Sequence, residues 1–163
     1  MDAAEYQQAA ARTLIAEPEK PLTPTEHLVA WSAVGLAGET GELLEQCPDA
    51  IGIAQAVGAV CELVKKQAFY GQGLRPEALQ DALRQVLAEV ARTWRAHPAP
   101  GVEEEVGDLL WYAAAMCTRL GLKLADIAPP GLEGPMAANI AKLEKRLPNG
   151  WNAADQAARR DKQ

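Results

Sequence analysis

The chain is expected to fold as an all-α domain, and three observations carry that expectation. No strand-like alternation of apolar and polar residues is sustained anywhere along it. Residues 76–96 set Leu79, Leu83, Val86, Leu87, Val90 and Trp94 on one stripe at helical spacing. Thr23-Pro24-Thr25-Glu26 is a strong helix start, with Thr23 as N-cap, Pro24 as first helical residue and Glu26 as the reciprocal partner of a capping box.

The bulk properties bound the rest. At 163 residues and 48% hydrophobic composition, the chain predicts one globular domain over residues 1–151 and a polar tail over 152–163. A formal charge of -6 argues against a nucleic-acid polymer as partner, since such partners want a basic patch. It leaves a nucleotide open, because metal ions can carry positive charge to an acidic site. Cys47, Cys61 and Cys117 are odd in number, widely spaced and set among apolar neighbours, which predicts reduced thiols in a cytoplasm. No signal peptide and no apolar run of bilayer-spanning length is recognised, so no membrane partner is expected.

The elements follow in order. The Ala-rich stretch from Asp2 to about Ala16 reads as a first helix, closed by Pro18, Pro21 and Pro24. The second helix is expected from Pro24 to about Gln46, before Pro48. On it Leu28, Trp31, Gly35, Glu39 and Glu42 fall on one line, which reads as an inward stripe continued by the two acids. A third helix is expected from Ala50 to Tyr70 with Gly71 as C-cap. Its Lys65 and Lys66 suit the negative end of the helix dipole. The amphipathic helix 76–96 reads as an extra packing helix or part of a subunit contact. His97 falls in the break 97–101 and reads as a loop residue. The helix 102–120, with Gly121 after it, is apolar nearly all round, so it needs cover on several sides. After a Pro- and Gly-rich loop, 136–147 is the last firm helix, with Asn139, Lys142 and Arg146 on a polar line and Ile140, Leu143 and Leu147 expected inward. Trp151 is expected to anchor the end of the domain.

The chemistry lies in two acid pairs, Glu39 with Glu42 and Glu105 with Asp108. A spacing of three puts each pair on one helical face. Neither pair has a Lys or Arg three or four residues away on its own helix. Two such helices facing each other would gather four carboxylates, and crowded acids are costly unless a cation sits between them. Hard oxygen ligands of this kind suit Mg²⁺ or Mn²⁺.

The pattern resembles the MazG-like nucleotide pyrophosphohydrolases, whose signature is a Glu-x-x-Glu pair followed by a Glu-x-x-Asp pair. Five stretches stand in the family's order: GLAGETGELL over 35–44, Val64-Lys65-Lys66, EVGDLLWY over 105–112, NIAKLEKR over 139–146 and PNGW over 148–151. The connection between the pairs is longer than the family's, with extra residues around 47–62 and 75–101. The resemblance implies a helical bundle completed by oligomerisation, as a homodimer or a dimer of dimers, with extra helical segments inserted between the acidic helices. It implies Mg²⁺-dependent hydrolysis of a nucleoside triphosphate to monophosphate and pyrophosphate, in policing of the nucleotide pool. Glu39, Glu42, Glu105 and Asp108 would hold the metal, with Glu39 or Glu42 orienting or deprotonating the attacking water. Lys65, Tyr112, Asn139 and Lys142 would position the phosphates. Trp31 precedes Glu39 by eight residues, about 12 Å at the helical rise. With His27 one turn earlier, it is expected to stack on or edge the base, unless it is simply core.

Other chemistries fit less well. A di-iron site needs Glu-x-x-His on two helices, and the residues three before His27 and His97 are Pro24 and Trp94. There is no Gly-rich phosphate loop with its Lys-Ser or Lys-Thr and no paired nucleophile and base. A silent nucleotide-binding or scaffold bundle would lack an intact acid set, and here all four acids are present.

Overall fold

A computed structural model describes residues 2–11, 21–148 and 150. The rest of the expected first helix to Ala16, the Trp151 anchor and the tail 152–163 lie outside the described residues. Those described are all-helical, with six α-helices and no strand: α1 (Ala3–Ala11), α2 (Pro24–Gln46), α3 (Ile51–Val64), α4 (Pro76–Ala96), α5 (Pro100–Leu120) and α6 (Glu133–Arg146).

The helix starts follow local chemistry. Thr23 Oγ1 accepts from the Glu26 amide at 3.2 Å, and Glu26 Oε2 accepts from the Thr23 amide at 2.8 Å. This is the reciprocal box expected at the start of α2. Prolines open α4 and α5, where a missing N–H costs nothing. Gly121 ends α5 with φ of 68°, a left-handed cap that a glycine adopts without strain.

Four helices close into a ring, with α2 against α3, α3 against α4, α4 against α5 and α5 back against α2. Leu36, Leu43, Ile53, Leu79, Leu87 and Leu109 fill its centre. Helix α6 packs outside the ring on α5. Most of the apolar circumference of α5 is therefore covered within one chain, by α2, α4 and α6, with Trp111 left exposed. The extra segment between the acidic pairs, α3 and α4, supplies part of that cover.

Three expectations are corrected. Helix α3 ends at Val64 and passes into a π-helical turn, Lys65–Phe69, where Gln67 is fully buried and its Oε1 accepts from the Arg75 amide at 2.7 Å. On α2 the buried stripe is Val29, Ser32, Ala33, Leu36, Thr40 and Leu43. The line of Trp31, Glu39 and Glu42 flanks this stripe: Trp31 and Glu42 are exposed and Glu39 is half-buried. Ser32 and Thr40 tolerate burial because their hydroxyls donate back to the carbonyls of Leu28 and Leu36. On α6 Leu143 and Leu147 are half-buried beside the polar line, as expected in part, but Ile140 is not inward. Asn139 is buried, whereas Ile140 is 53% exposed.

Candidate metal centre

Helices α2 and α5 pack side by side and bring their acids together. Glu39, Glu42 and Glu105 each offer a carboxylate oxygen, and these oxygens all lie within 4.8 Å of one another. The crowding has an electrostatic signature. Glu39 is pushed up to about 7, first by burial and then by the charges of Asp108, Glu42 and Glu105, with Lys142 opposing. Burial, followed by Glu42, Asp108 and Glu104, pushes Glu105 up as well. Such a group of carboxylates is relieved by one positive charge at its centre, so the donor set fits a hard divalent cation.

Asp108 stands beside this trio with its own partners. Asn139 Nδ2 donates to Asp108 Oδ1 at 2.6 Å, and the Lys142 ammonium reaches both carboxylate oxygens at 2.6 and 2.5 Å. Lys142 also lies 3.7 Å from Glu104. The cation missing from each acidic helix is thus supplied by α6. Gly107 makes this possible. A Cβ there would sit 2.9 Å from Asn139 Cβ and 3.2 Å from the Pro135 carbonyl, so only glycine lets α6 approach α5 this closely.

A cavity of about 150 Å³ opens beside the acids, lined by Glu39, Asp108, Trp31, Trp111, Tyr112 and Arg146. Its wall is an aromatic cluster. Trp111 and Tyr112 meet edge to face at 4.9 Å, and Trp31 lies 5.3 Å from Tyr112 and 5.9 Å from Trp111. The Tyr112 ring lies directly on Gly35, where an added Cβ would overlap it. Burial, with Glu39, Asp108 and Glu42 nearby, pushes the Tyr112 hydroxyl up, so it is a neutral donor at neutral pH.

The structure therefore brings together Glu39, Glu42, Glu105, Asp108, Tyr112, Asn139, Lys142 and Trp31. Lys65 and His27 stand elsewhere. With Trp31, Val34, Cys61 and Phe69 they line a second, more apolar cavity of about 350 Å³. Lys65 is ion-paired there with Glu62, which also holds Lys66 at 3.2 Å. Trp31 borders both cavities. Arg146, on the polar line with Asn139 and Lys142, and Trp111, to which the sequence assigns no role, also line the acid-side cavity. The available signal for Trp111 was its step of three from Asp108, which sets both on one face.

No helix among the described residues is long and apolar enough to cross a membrane. All three cysteines are free thiols. No family model, curated protein or solved structure matches the chain.

Proposed function

We propose that the protein is a Mg²⁺-dependent nucleoside triphosphate pyrophosphohydrolase of the MazG-like kind, releasing monophosphate and pyrophosphate. The observation that carries this reading is the convergence of Glu39, Glu42 and Glu105 within 4.8 Å beside a cavity that also holds Asp108. The five sequence stretches in the family's order support it independently.

Glu39, Glu42 and Glu105 would hold Mg²⁺, or Mn²⁺ in its place, with Asp108 as the adjoining fourth acid. When bound, the metal supplies positive charge to the phosphate oxygens and acidifies water. The chain's own groups do the rest. Glu39 or Glu42 orients the attacking water and takes its proton, and Glu39 is the one that lines the cavity. Lys142, Asn139 and Arg146 approach from α6 and Tyr112 from α5, and they fix the phosphate chain for in-line attack. Trp31 offers an exposed aromatic face, 49% accessible, against which a base can stack. His27, across Trp31, would meet the far edge of the base, whereas Lys65 lines that same second cavity, paired with Glu62, and is left out of the groups that position the phosphates.

A homodimer or a dimer of dimers belongs to this reading. The acids already converge within one chain, so assembly serves to cover apolar surface. Val34 is 71% exposed and Tyr70 55%, with Phe69 beside the second cavity. Light scattering at micromolar concentration should give a multiple of the chain mass, and a monomeric mass would remove assembly from the proposal.

Substitution of the acids tests the chemistry. Glu42→Gln and Asp108→Asn should abolish turnover with the helical fold intact, and calorimetric Mg²⁺ binding should weaken in both. Near-wild-type activity in either variant would show the metal site to be misassigned.

A further inference from the structure

A second group of metal-ligating side chains lies apart from the acid site. Cys47 is the C-cap of α2, and Asp49 follows it in the turn to α3. His97 is the C-cap of α4, two residues before Ala99, the N-cap of α5. Although 48 residues apart, the two turns meet. Asp49 Oδ2 lies 3.2 Å from His97 Nε2, and Cys47 Sγ donates to Asp49 Oδ1 at 2.9 Å. The sulfur, the imidazole nitrogen and a carboxylate oxygen all fall within 4.8 Å of one another.

We propose that Cys47, Asp49 and His97 form a binding site for a borderline-soft divalent cation, Zn²⁺ in the first place, that clamps the end of α2 to the end of α4. The donor set decides the metal class. One sulfur, one imidazole and one carboxylate suit Zn²⁺ and not Mg²⁺. The contacts of 2.9 and 3.2 Å and the outer limit of 4.8 Å bracket the roughly 3–4 Å that separates neighbouring ligands of a tetrahedral ion, and three side chains leave its fourth position to water. Asp49 and His97 are exposed side chains that can adjust, while Cys47 is fixed by burial.

A catalytic thiol fits the same residues poorly. Asp49 stands between the sulfur and the imidazole, so His97 does not contact the thiol it would have to deprotonate. Burial and Asp49 also push the thiol up to about 11. Binding of the cation releases the thiol proton to solvent and replaces the S–H···O contact by two metal–ligand bonds. The clamp is independent of the proposed hydrolysis.

Cobalt tests it with a readout that does not depend on turnover. Titration of Co²⁺ into the reduced full-length protein, with excess Mg²⁺ present to occupy the acid site, should give a thiolate-to-cobalt charge-transfer band and tetrahedral ligand-field bands that saturate at one equivalent. Excess Zn²⁺ should abolish them. The acid site offers only oxygen ligands and gives no such band, so Glu42→Gln should leave the spectrum unchanged, as should Cys61→Ser. Cys47→Ser should lose the band, and Asp49→Asn and His97→Ala, both surface changes that spare the core, should weaken Co²⁺ binding tenfold or more. Zn²⁺ should raise the melting temperature of the wild type and not of His97→Ala. Absence of a band with excess Co²⁺, or an unaltered band in Cys47→Ser, Asp49→Asn or His97→Ala, would overturn the proposal.

Discussion

Lys142 grips Asp108 from a neighbouring helix, with its ammonium 2.6 Å from Oδ1 and 2.5 Å from Oδ2. The contact joins α6 to the acidic face of α5 and supplies the positive charge that opposes the rise of Glu39. Without it, four carboxylates would face one another with less compensation. Lys142→Met should therefore destabilise the metal-free protein by about 1.5–3 kcal/mol, the range for hydrogen bonds to charged groups. Saturating Mg²⁺ should recover more stability in the variant than in the wild type. Denaturant melts in EDTA and in Mg²⁺ measure both effects. Equal stability in EDTA would show that the pair contributes nothing.

Glu39 gives a pH dependence with a definite sign. Its carboxyl lies at about 7 in the folded protein against an ordinary value of 4.5. A raised value means that the folded state holds the proton more tightly, so the contribution is fully present below about pH 4.5 and is lost as pH rises through about 7. The groups that face Glu39 are Asp108, Glu42, Glu105 and Lys142. Metal-free protein should lose stability across this window, and Glu39→Gln should flatten the profile. Mg²⁺ binding near pH 6 should release a proton, which calorimetry in buffers of different ionisation enthalpy detects. A flat wild-type profile would contradict the assignment.

Gly35 tests the aromatic wall. A methyl at this position overlaps the Tyr112 ring, which Trp31 and Trp111 hold in place. Gly35→Ala should cost about 1–3 kcal/mol by overpacking, despite the better helix propensity of alanine. Gly58→Ala on α3, where the added methyl meets open space, should instead gain up to about 1 kcal/mol. Similar melting temperatures for the two variants would mean that Tyr112 is free to move.

Trp31 separates binding from packing. Half-exposed and bordering both cavities, it is placed as a surface for a ligand more than as core. One stacked base is worth about 1–3 kcal/mol, so Trp31→Ala should raise KM roughly tenfold and change the preference among bases. Its Mg²⁺ affinity should be unaltered. An unchanged KM for every nucleotide would exclude base stacking at this residue.

The fold was legible where residues act locally. Thr23, Pro24, Pro76 and Gly121 mark helix ends by their own backbone chemistry, and α2 and α4 run as expected. Helix α6 begins at Glu133, ahead of the expected Met136, because Pro135 is tolerated in a first turn. The π-helical turn at Lys65–Phe69 left no propensity signal. The acid pairs were visible from a spacing of three, but their neutralisation was not. Asn139 and Lys142 lie 31 and 34 residues from Asp108, and only the close approach over Gly107 turns the polar line of α6 inward. A longer separation, 48 residues between Asp49 and His97, hid the meeting of Cys47 and Asp49 with His97.

The central claim is hydrolysis of a nucleoside triphosphate at the acid cluster. Its most direct measurement is a panel of ribo- and deoxyribonucleoside triphosphates incubated with the protein and Mg²⁺ in ¹⁸O-water, with products resolved by mass. The account predicts monophosphate carrying the label and unlabelled pyrophosphate, with turnover lost in EDTA and in Glu42→Gln. Label in the pyrophosphate, diphosphate with orthophosphate as products, or turnover that persists in Glu42→Gln would contradict it.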